Sequence, residues 1–340
     1  MNVSVVGAGG WGTALSLILN ERHNRVILFE YFRDYADELN KKRENYKFLK
    51  GIKIPDDIFI TNNLKMAVEE SDIIVLAVPS HFMRSILYKI KKYKYNKKLF
   101  ISVTKGIEQK SLLTMSRIIK EILKDYVDVA VLSGPSLAAE VARKVPTTIV
   151  AASKNISIAE KVQRIFFTNY FRVYTRIDVL GVELGGALKN VIAIAAGILD
   201  GMGVGANTKA ALVTRGLAEI KRLGVKMGAK EDTFSGLSGL GDLIVTCTSK
   251  YSRNRTVGEE LGRGKKISRI LKHMEMVAEG VKTTLSAYRL SKKYGVEMPI
   301  TTEIYNVLYK DKSIYESMAD LMGRSPKSEK ELLNKNKDDR

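Results

Sequence analysis

A glycine-rich segment directly after the first predicted strand constrains the fold of this chain more than any other feature. The apolar run Asn2–Val6 leads straight into it, and a helical pattern follows over Thr13–Asn20. The segment consists of Gly7, Ala8, Gly9, Gly10, Trp11 and Gly12. In a strand–turn–helix of this kind, the first glycine permits a tight turn, the second lets the backbone approach a diphosphate, and the third allows close helix–strand packing. We therefore predict a dinucleotide-binding loop, against the alternative of a simple cluster of turn glycines.

An acidic residue ends the second predicted strand, Val26–Glu30. A carboxylate at the position of Glu30 accepts hydrogen bonds from the adenosine ribose and repels a 2′-phosphate. We therefore expect NAD to be favoured as cofactor, with NADP possible because Arg33 follows closely and has the opposite effect. The alternative for Glu30 is a solvated carboxylate at the end of a strand.

Short and almost wholly apolar segments alternate with helical ones over the first half of the chain. These predicted strands are Asn2–Val6, Val26–Glu30, Ile73–Val78, Leu99–Val103, Val129–Leu132, Thr147–Ala151 and Phe171–Tyr174, the last two having no long crossover helix. The alternation predicts the α/β class, with a buried, doubly wound parallel sheet in a Rossmann-type domain over residues 1–177. Helical periodicity then predicts an all-helical domain over 178–322, and residues 323–340 form a polar tail.

Composition excludes several classes of protein. A single cysteine, Cys247, excludes an intramolecular disulfide and a cysteine-built zinc site, and it suits a reducing compartment. The three histidines lack metal-ligand spacing, so we expect no metal. The net charge of +19 comes from scattered lysines and is read as a solvated surface without nucleic-acid binding, although a positive field also attracts phosphorylated ligands. With no signal-peptide pattern, and with Val191–Leu199 as the longest apolar stretch, we expect a cytoplasmic protein without membrane insertion.

Several longer segments resemble the bacterial-type NAD(P)-dependent glycerol-3-phosphate dehydrogenases over almost the whole chain. The matching segments are GAGGWGTAL (7–15), VPS (78–80), TKG (104–106), SGPS (133–136), GGALKNVIAIAAG (185–197), GLGDLIVTCTS (239–249), SRNR (252–255) and EMPI (297–300). The resemblance implies reversible hydride transfer between NAD(P)H and dihydroxyacetone phosphate, giving glycerol 3-phosphate for phospholipid synthesis. It also implies a homodimer and a Rossmann-type domain followed by a helical one, as in 6-phosphogluconate-dehydrogenase-like folds.

Lys189 and Asn190 lie in the middle of an otherwise small and apolar helix. A buried lysine is costly unless it is paired or functional, and such a lysine can exchange a proton with a secondary alcohol. The resemblance makes Lys189 the general base in oxidation and the general acid in reduction; the alternative is a lysine that reaches out of the helix to solvent. Asp242 and Thr246 lie one helical turn apart, so both face the same way. We expect Asp242 to bind a substrate hydroxyl and hold Lys189, unless it is only a helix N-cap.

Two further sets of residues are expected to contact ligands. Ser252, Arg253 and Asn254 precede a helix and are read as a phosphate-binding group in which Arg253 is the main member, unless they only begin an N-capped basic helix. Lys105, at the carboxyl end of a predicted strand, is expected to orient the substrate and stabilise charge at the reacting oxygen. A surface lysine in a loop is the alternative for Lys105. Gly134 and Ser136 lie in a comparable turn and are expected to contact the substrate, unless they form a plain loop turn.

The family implies cofactor contacts for a further set of residues, namely Gly10, Trp11, Lys105, Ala138, Arg253, Val277 and Glu279. Tyr31 stands where many relatives place a basic or polar residue near the adenosine 2′ position, which puts NADP use in doubt. Two other functions fit parts of the sequence. One is a related Rossmann-plus-helical hydroxy-acid dehydrogenase, against which the SRNR and GLGDLIVTCTS segments argue. The other is a non-catalytic dinucleotide sensor that binds nucleic acid, which would not need the Lys189 set.

Overall fold

The computed structural model of the protein describes residues 1–274, 277–326 and 328–329. Two compact units are present, unit 1 (Met1–Glu183) and unit 2 (Leu184–Arg340). The division between them falls six residues after the predicted domain boundary at 177/178, inside a long helix. Most of the predicted tail, 330–340, lies outside the described residues.

Unit 1 contains one sheet of eight strands. Their bounds are β1 Asn2–Val6, β2 Arg25–Phe29, β3 Phe59–Thr61, β4 Ile73–Leu76, β5 Leu99–Ser102, β6 Asp128–Ser133, β7 Thr147–Ala152 and β8 Phe171–Arg176. The strand order is β3-β2-β1-β4-β5-β6-β7-β8, and the first six strands in this order run parallel. The order reverses at β1, and the crevice beside such a point is where ligands bind in doubly wound sheets. These observations confirm the predicted α/β class.

The far side of the sheet, where the two predicted strands without a long crossover helix lie, departs from the parallel arrangement of the other strands. β7 runs antiparallel to β6, and β8 is parallel to β7. The chain between β6 and β7 carries only a five-residue helix, Ala138–Ala142. A parallel crossover usually needs a helix long enough to carry the chain back along the sheet, so a connection with only this short helix returns the chain in the opposite direction.

Helices cover both faces of the sheet. They are α1 Gly10–Glu21, α2 Arg33–Lys42, α3 Leu64–Glu69, α4 Met83–Ile90, α5 Met115–Leu123, α6 Ala138–Ala142 and α7 Ile156–Phe166. Along β2, Val26 and Leu28 belong to one core, whereas Ile27 and Phe29 belong to the other. Because side chains alternate between the faces of a strand, this division shows that both faces are buried.

Unit 2 is helical over its described residues. After α8 Val179–Gly201, which crosses the division, its helices are α9 Ala206–Lys226, α10 Asp242–Thr248, α11 Arg253–Gly262, α12 Ile267–Lys272, α13 Glu279–Tyr294, α14 Pro299–Lys310 and α15 Ile314–Met322. Of the described helices, only α8 is long and apolar enough to cross a membrane, and its apolar window is entirely buried within the protein. Such burial is typical of a core helix.

Small residues let α8 and α11 pack with their backbones almost in contact. A Cβ added at Gly197 would lie 2.0 Å from the carbonyl oxygen of Arg255, and one added at Gly258 would lie 2.0 Å from that of Ile194. Any larger residue at either glycine would push the helices apart. This contact fixes the start of α11 against the helix that carries Lys189.

A fully buried carboxylate holds the N-terminus of α14. Glu219 on α9 accepts hydrogen bonds from the backbone N–H of Ile300 (2.6 Å) and of Thr301 (3.1 Å), and from the Thr301 hydroxyl (3.0 Å). These are donors that the first turn of a helix cannot satisfy by itself. Burial raises the pKa of Glu219 to about 7, although these hydrogen bonds act in the opposite direction.

Glu219 is expected to make stability depend on pH. Because its folded pKa lies above the unfolded value of about 4.3, it contributes stability below the unfolded pKa, and that contribution is lost as the pH rises through about 7. Glu219→Gln removes the titrating group. The difference in free energy of unfolding between wild type and Glu219→Gln should fall by about 2.5 kcal/mol between about pH 5 and about pH 8. Urea unfolding of both proteins at the two pH values measures it, and a difference independent of pH contradicts the assignment.

Candidate active site

The glycine-rich loop of unit 1 adopts the compact turn that its sequence predicts. Gly7 has φ +117°, a backbone conformation that side chains rarely tolerate, and its N–H donates to the Phe29 carbonyl at 3.0 Å. A Cβ added at Gly12 would lie 2.0 Å from the Gly7 carbonyl oxygen. The first glycine therefore makes the turn, and the third brings α1 against the end of β1.

The N-terminus of α1 has room for an anion. Its N-cap, Gly9, has no side chain to bind the free N–H groups, and the first turn carries no acidic residue. A Cβ added at Gly9 would meet nothing within 4 Å, so the backbone at this point faces open space. Gly10, by contrast, packs against the Phe48 carbonyl and the Ala138 side chain. Exposed N–H groups at a helix N-terminus fit the diphosphate of a dinucleotide.

Glu30 follows β2 directly and is 8% exposed. Burial raises the pKa of its carboxyl, whereas hydrogen bonds from the backbone of Phe32, Tyr31 and Ala8 lower it. The Ala8 backbone, part of the glycine-rich loop, thus lies close enough to Glu30 to favour the charged form of its carboxyl. Tyr31 is exposed, and its hydroxyl accepts a hydrogen bond from Lys89 Nζ at 2.8 Å.

Lys105, Gly134 and Ser136 come together at the carboxyl ends of β5 and β6. Lys105 Nζ donates to the Gly134 carbonyl at 2.8 Å and to the Ser136 hydroxyl at 3.2 Å. The Ser136 hydroxyl in turn donates to the Gly134 carbonyl at 2.8 Å. Unit 1 thus joins three of the predicted ligand-contacting residues in one hydrogen-bonded group, at the edge where parallel strands end.

Unit 2 brings Lys189, Asp242 and Thr246 into contact. Lys189, 5% exposed on α8, forms a salt bridge with Asp242 and donates to the Thr246 hydroxyl at 2.6 Å. The Thr246 hydroxyl donates to the carbonyl of Asp242 at 2.6 Å. Asp242 is the first residue of α10 and is fully buried, while Gly241 occupies the N-cap position. A buried ammonium is therefore paired with a carboxylate and fixed in direction by a hydroxyl.

Asn190 and Asn254 are linked by their side chains. The amide of Asn254 donates to Asn190 Oδ1 at 2.8 Å and accepts from the Gly280 N–H at 2.9 Å, near the start of α13. The side-chain amide of Asn254 therefore holds α8, α11 and α13 together. Any role of its side chain in ligand binding adds to this connection.

The two arginines of the SRNR segment have different surroundings. The Ser252 hydroxyl caps α11 by accepting from the Arg255 N–H at 3.3 Å. Arg255 Nε donates to Asp200 at 2.5 Å, and Lys209 Nζ also contacts Asp200, at 2.6 Å. Arg253 is exposed, but nearby protein atoms partly desolvate its guanidinium and lower its pKa, whereas the negative charge of Glu279 acts in the opposite direction. Arg255 is thus anchored in the fold, while Arg253 remains accessible.

The other predicted cofactor contacts lie near the start of α13. Val277 is half-buried, and Glu279 is the first residue of the helix. Their neighbours 275 and 276 lie outside the described residues. Over the part of the chain that is described, no three His, Cys, Asp or Glu side chains are grouped as metal ligands.

Two side chains that contact the predicted site segments were not predicted from the sequence. Asp200 anchors Arg255, and Asn45 contacts the glycine-rich loop. Both form their bonds with residues far away in the chain, and neither lies in a recognisable motif. No local pattern identifies them.

Comparison with known proteins agrees with this geometry. The model of the NAD-dependent glycerol-3-phosphate dehydrogenase N-terminus matches residues 2–159, and that of the C-terminus matches 178–319. The chain belongs to the NAD-dependent glycerol-3-phosphate dehydrogenase family. A glycerol-3-phosphate dehydrogenase [NAD(P)+] of Thermoanaerobacter sp. (strain X514) is 51% identical over 97% of this chain and 99% of the relative.

Other relatives give the same result. The corresponding enzyme of Bacillus subtilis (strain 168) is 48% identical over 97% of this chain and 96% of its own length. The crystal structure of the glycerol-3-phosphate dehydrogenase of Coxiella burnetii superposes with a TM-score of 0.92 at 36% identity, covering 95% of this chain and 99% of that one. The predicted family is confirmed by both sequence and structure, and the family is NAD(P)-dependent.

The contributions of Lys189 and Asp242 to the free energy of unfolding are expected to be strongly coupled. Asp242→Asn leaves the Lys189 ammonium without its counter-charge, and Lys189→Met leaves the Asp242 carboxylate without one. Each single change should destabilise the protein by about 3–5 kcal/mol, because an isolated buried charge remains. The double variant removes both charges, so it should cost clearly less than the sum of the two. Urea unfolding of all four proteins gives the coupling, and simple additivity would show that the two groups do not depend on each other.

Proposed function

We propose that this protein catalyses the NAD(P)-dependent interconversion of glycerol 3-phosphate and dihydroxyacetone phosphate. One observation carries the proposal: a buried lysine, paired with a carboxylate and a hydroxyl, in a chain that matches this dehydrogenase family along its length. The relatives are named for the same activity.

The chemistry needs a group that exchanges one proton with the reacting oxygen. Reduction of the ketone adds a hydride to its carbon and a proton to its oxygen, and when bound the nicotinamide supplies the hydride. Lys189 is placed to donate that proton as an ammonium and, in the reverse direction, to accept it as an amine. Asp242 stabilises the charged form of Lys189, and Thr246 orients its Nζ.

Recognition of the phosphate group is assigned to Arg253. It is accessible, whereas Arg255 on the same helix is bound to Asp200. A guanidinium binds a phosphate through two parallel hydrogen bonds, which a lysine cannot reproduce. Ser252, Asn254, Lys105, Gly134 and Ser136 are proposed to complete the contacts with the substrate.

The cofactor is proposed to be NADH in preference to NADPH. Glu30 lies at the end of β2 in contact with the glycine-rich loop, where a carboxylate opposes a 2′-phosphate. Arg33, which would favour NADPH, is a highly exposed side chain close to Asp37. The remaining cofactor contacts are proposed at Gly7, Trp11, Ala138, Val277 and Glu279, with no metal required.

The cellular setting belongs to the same proposal. We assign a cytoplasmic homodimer that supplies glycerol 3-phosphate for phospholipid synthesis, without nucleic-acid binding or membrane insertion. The single cysteine, Cys247, is buried and unpaired, which suits a reducing compartment.

The direct test follows NADH and NADPH absorbance during reduction of dihydroxyacetone phosphate. Wild type should be active and should use NADH with the higher kcat/KM. Lys189→Ala should lower kcat by about 10²–10⁴-fold, because the proton donor is lost. Added ethylamine should restore part of the rate in this variant and leave wild type unchanged. More than about a tenth of wild-type activity in Lys189→Ala without amine contradicts the assigned role.

Arg253→Lys separates the shape of the cation from its charge. Loss of the bidentate contact should weaken binding of dihydroxyacetone phosphate by about 1.5–3 kcal/mol, measured as a rise in KM of roughly tenfold or more. Arg263→Lys is the matched control, since Arg263 directly follows α11 and its exposed side chain is paired with Glu259. Its KM should not change. Equal KM values for the two variants would remove Arg253 from the phosphate site.

A further inference from the structure

A buried amide contacts the glycine-rich loop from the turn that follows α2. Asn45 is fully buried. Its Nδ2 donates to the Ala8 carbonyl at 2.8 Å and contacts the Thr13 hydroxyl at 2.7 Å. Its Oδ1 accepts from the Tyr35 hydroxyl at 2.7 Å and from the Phe48 N–H at 3.1 Å. All the hydrogen-bonding capacity of this side chain is therefore used within unit 1.

The four contacts fix the amide in one orientation. The Phe48 N–H can only donate, so the group facing it must be the amide oxygen, and the nitrogen then faces the Ala8 carbonyl. Burial raises the pKa of the Tyr35 hydroxyl beyond its ordinary range, so this group stays protonated and remains a donor. A flipped amide would place donor against donor and acceptor against acceptor.

The bond to Ala8 acts on the peptide unit that faces the anion site. The carbonyl of Ala8 and the N–H of Gly9 belong to the same planar trans peptide and point in opposite directions. Holding the carbonyl toward Asn45 therefore turns the Gly9 N–H away from Asn45. On the same turn, the Phe48 carbonyl lies 2.7 Å from the Cβ position of Gly10, so the turn also supports the first residue of α1.

We propose that Asn45 is a positioning residue for the diphosphate of the cofactor. It holds the Ala8–Gly9 peptide, and through Thr13 the first turn of α1, in the orientation that binds the phosphates. The inference rests on the dinucleotide-binding part of the proposed function. Asn45 does not touch the ligand; it acts through the backbone of the loop.

The test measures binding of ADP-ribose, which carries the diphosphate but no nicotinamide, by titration calorimetry. Asn45→Asp keeps the shape of the side chain, but it replaces the donor facing Ala8 with an oxygen and adds a negative charge beside the phosphates. We expect the dissociation constants of ADP-ribose and NADH to rise together by at least about tenfold. Asn40→Asp is the matched control, because it removes a similar amide-to-carbonyl bond, to Ile60, away from the loop. Its dissociation constants should stay within about twofold of wild type.

Kinetics distinguish positioning from general loss of structure. At saturating NADH, Asn45→Asp should keep its kcat and its KM for dihydroxyacetone phosphate within about threefold of wild type, while KM for NADH rises with the dissociation constant. Unchanged affinity for ADP-ribose, or a fall in kcat without a change in affinity, overturns the inference.

A second variant covers the case in which Asn45→Asp does not fold. Tyr35→Phe removes one of the two donors that orient the amide and should raise the ADP-ribose dissociation constant by about threefold to tenfold. Tyr46→Phe, which removes the hydroxyl that binds Glu38, is its control and should have no effect. Equal affinities in Tyr35→Phe and Tyr46→Phe overturn the inference. Wild type that binds neither ADP-ribose nor NADH refutes the proposed function itself.

Discussion

Burial of one ammonium group is the constraint on which much of unit 2 depends. Lys189 lies in the middle of α8, in a stretch from Leu184 to Leu199 whose other residues, apart from Asn190, are apolar or small. An unpaired charge in such a place would cost several kcal/mol, so the neighbouring helix must supply both a carboxylate and a hydroxyl. Asp242 and Thr246 do so from successive turns of α10. Further along α8, Gly197 lets α11 approach closely, which fixes the start of the SRNR helix relative to the lysine.

Buried carboxylates solve a related problem elsewhere in the fold. Glu219 binds the free N–H groups of α14, and Glu183 does the same for α5 through the N–H and hydroxyl of Ser116 at 2.7 and 2.6 Å. Each carboxylate comes from a different helix than the one it caps. A local N-cap residue would satisfy the same donors, but it would not tie two helices together. α1 begins differently: its N-cap is a glycine, as in α9, and no acidic side chain is present in its first turn. That helix keeps its N–H groups available for a ligand.

The sequence predicts those parts of the structure that depend on local patterns. Spacing in the sequence predicts the apolar strands, the turn at Gly7 and the shared helix face of Asp242 and Thr246. The predicted α/β class and the predicted family are confirmed. β3 was not predicted, because three residues are too few to show a period. The direction of β7 depends on a short connection and not on the composition of the strand. Asn45 and Ala8 are 37 residues apart, and Arg255 and Asp200 are 55 apart, so only the folded chain brings them together. The roles of the individual site residues stay predictions.

The placement of a few cations says more about how this protein attracts anions than its net charge does. The net charge of +19 comes from an excess of lysine and arginine along the whole sequence, and the fields of exposed charges are screened over about 8 Å at physiological ionic strength. Within α11 the fold separates two arginines by giving one of them a carboxylate partner: Arg255 is held by Asp200, and Arg253 is left accessible. Desolvation lowers the pKa of Arg253, yet a guanidinium stays charged because its ordinary pKa is so high. Partial desolvation weakens competition from water at a charge that persists, so a guanidinium in this setting binds an anion more strongly than a fully hydrated lysine does. At the start of α11 the fold therefore fixes Arg255 as a structural cation and leaves Arg253 accessible, while the scattered surface charge adds only a weak long-range attraction for anions.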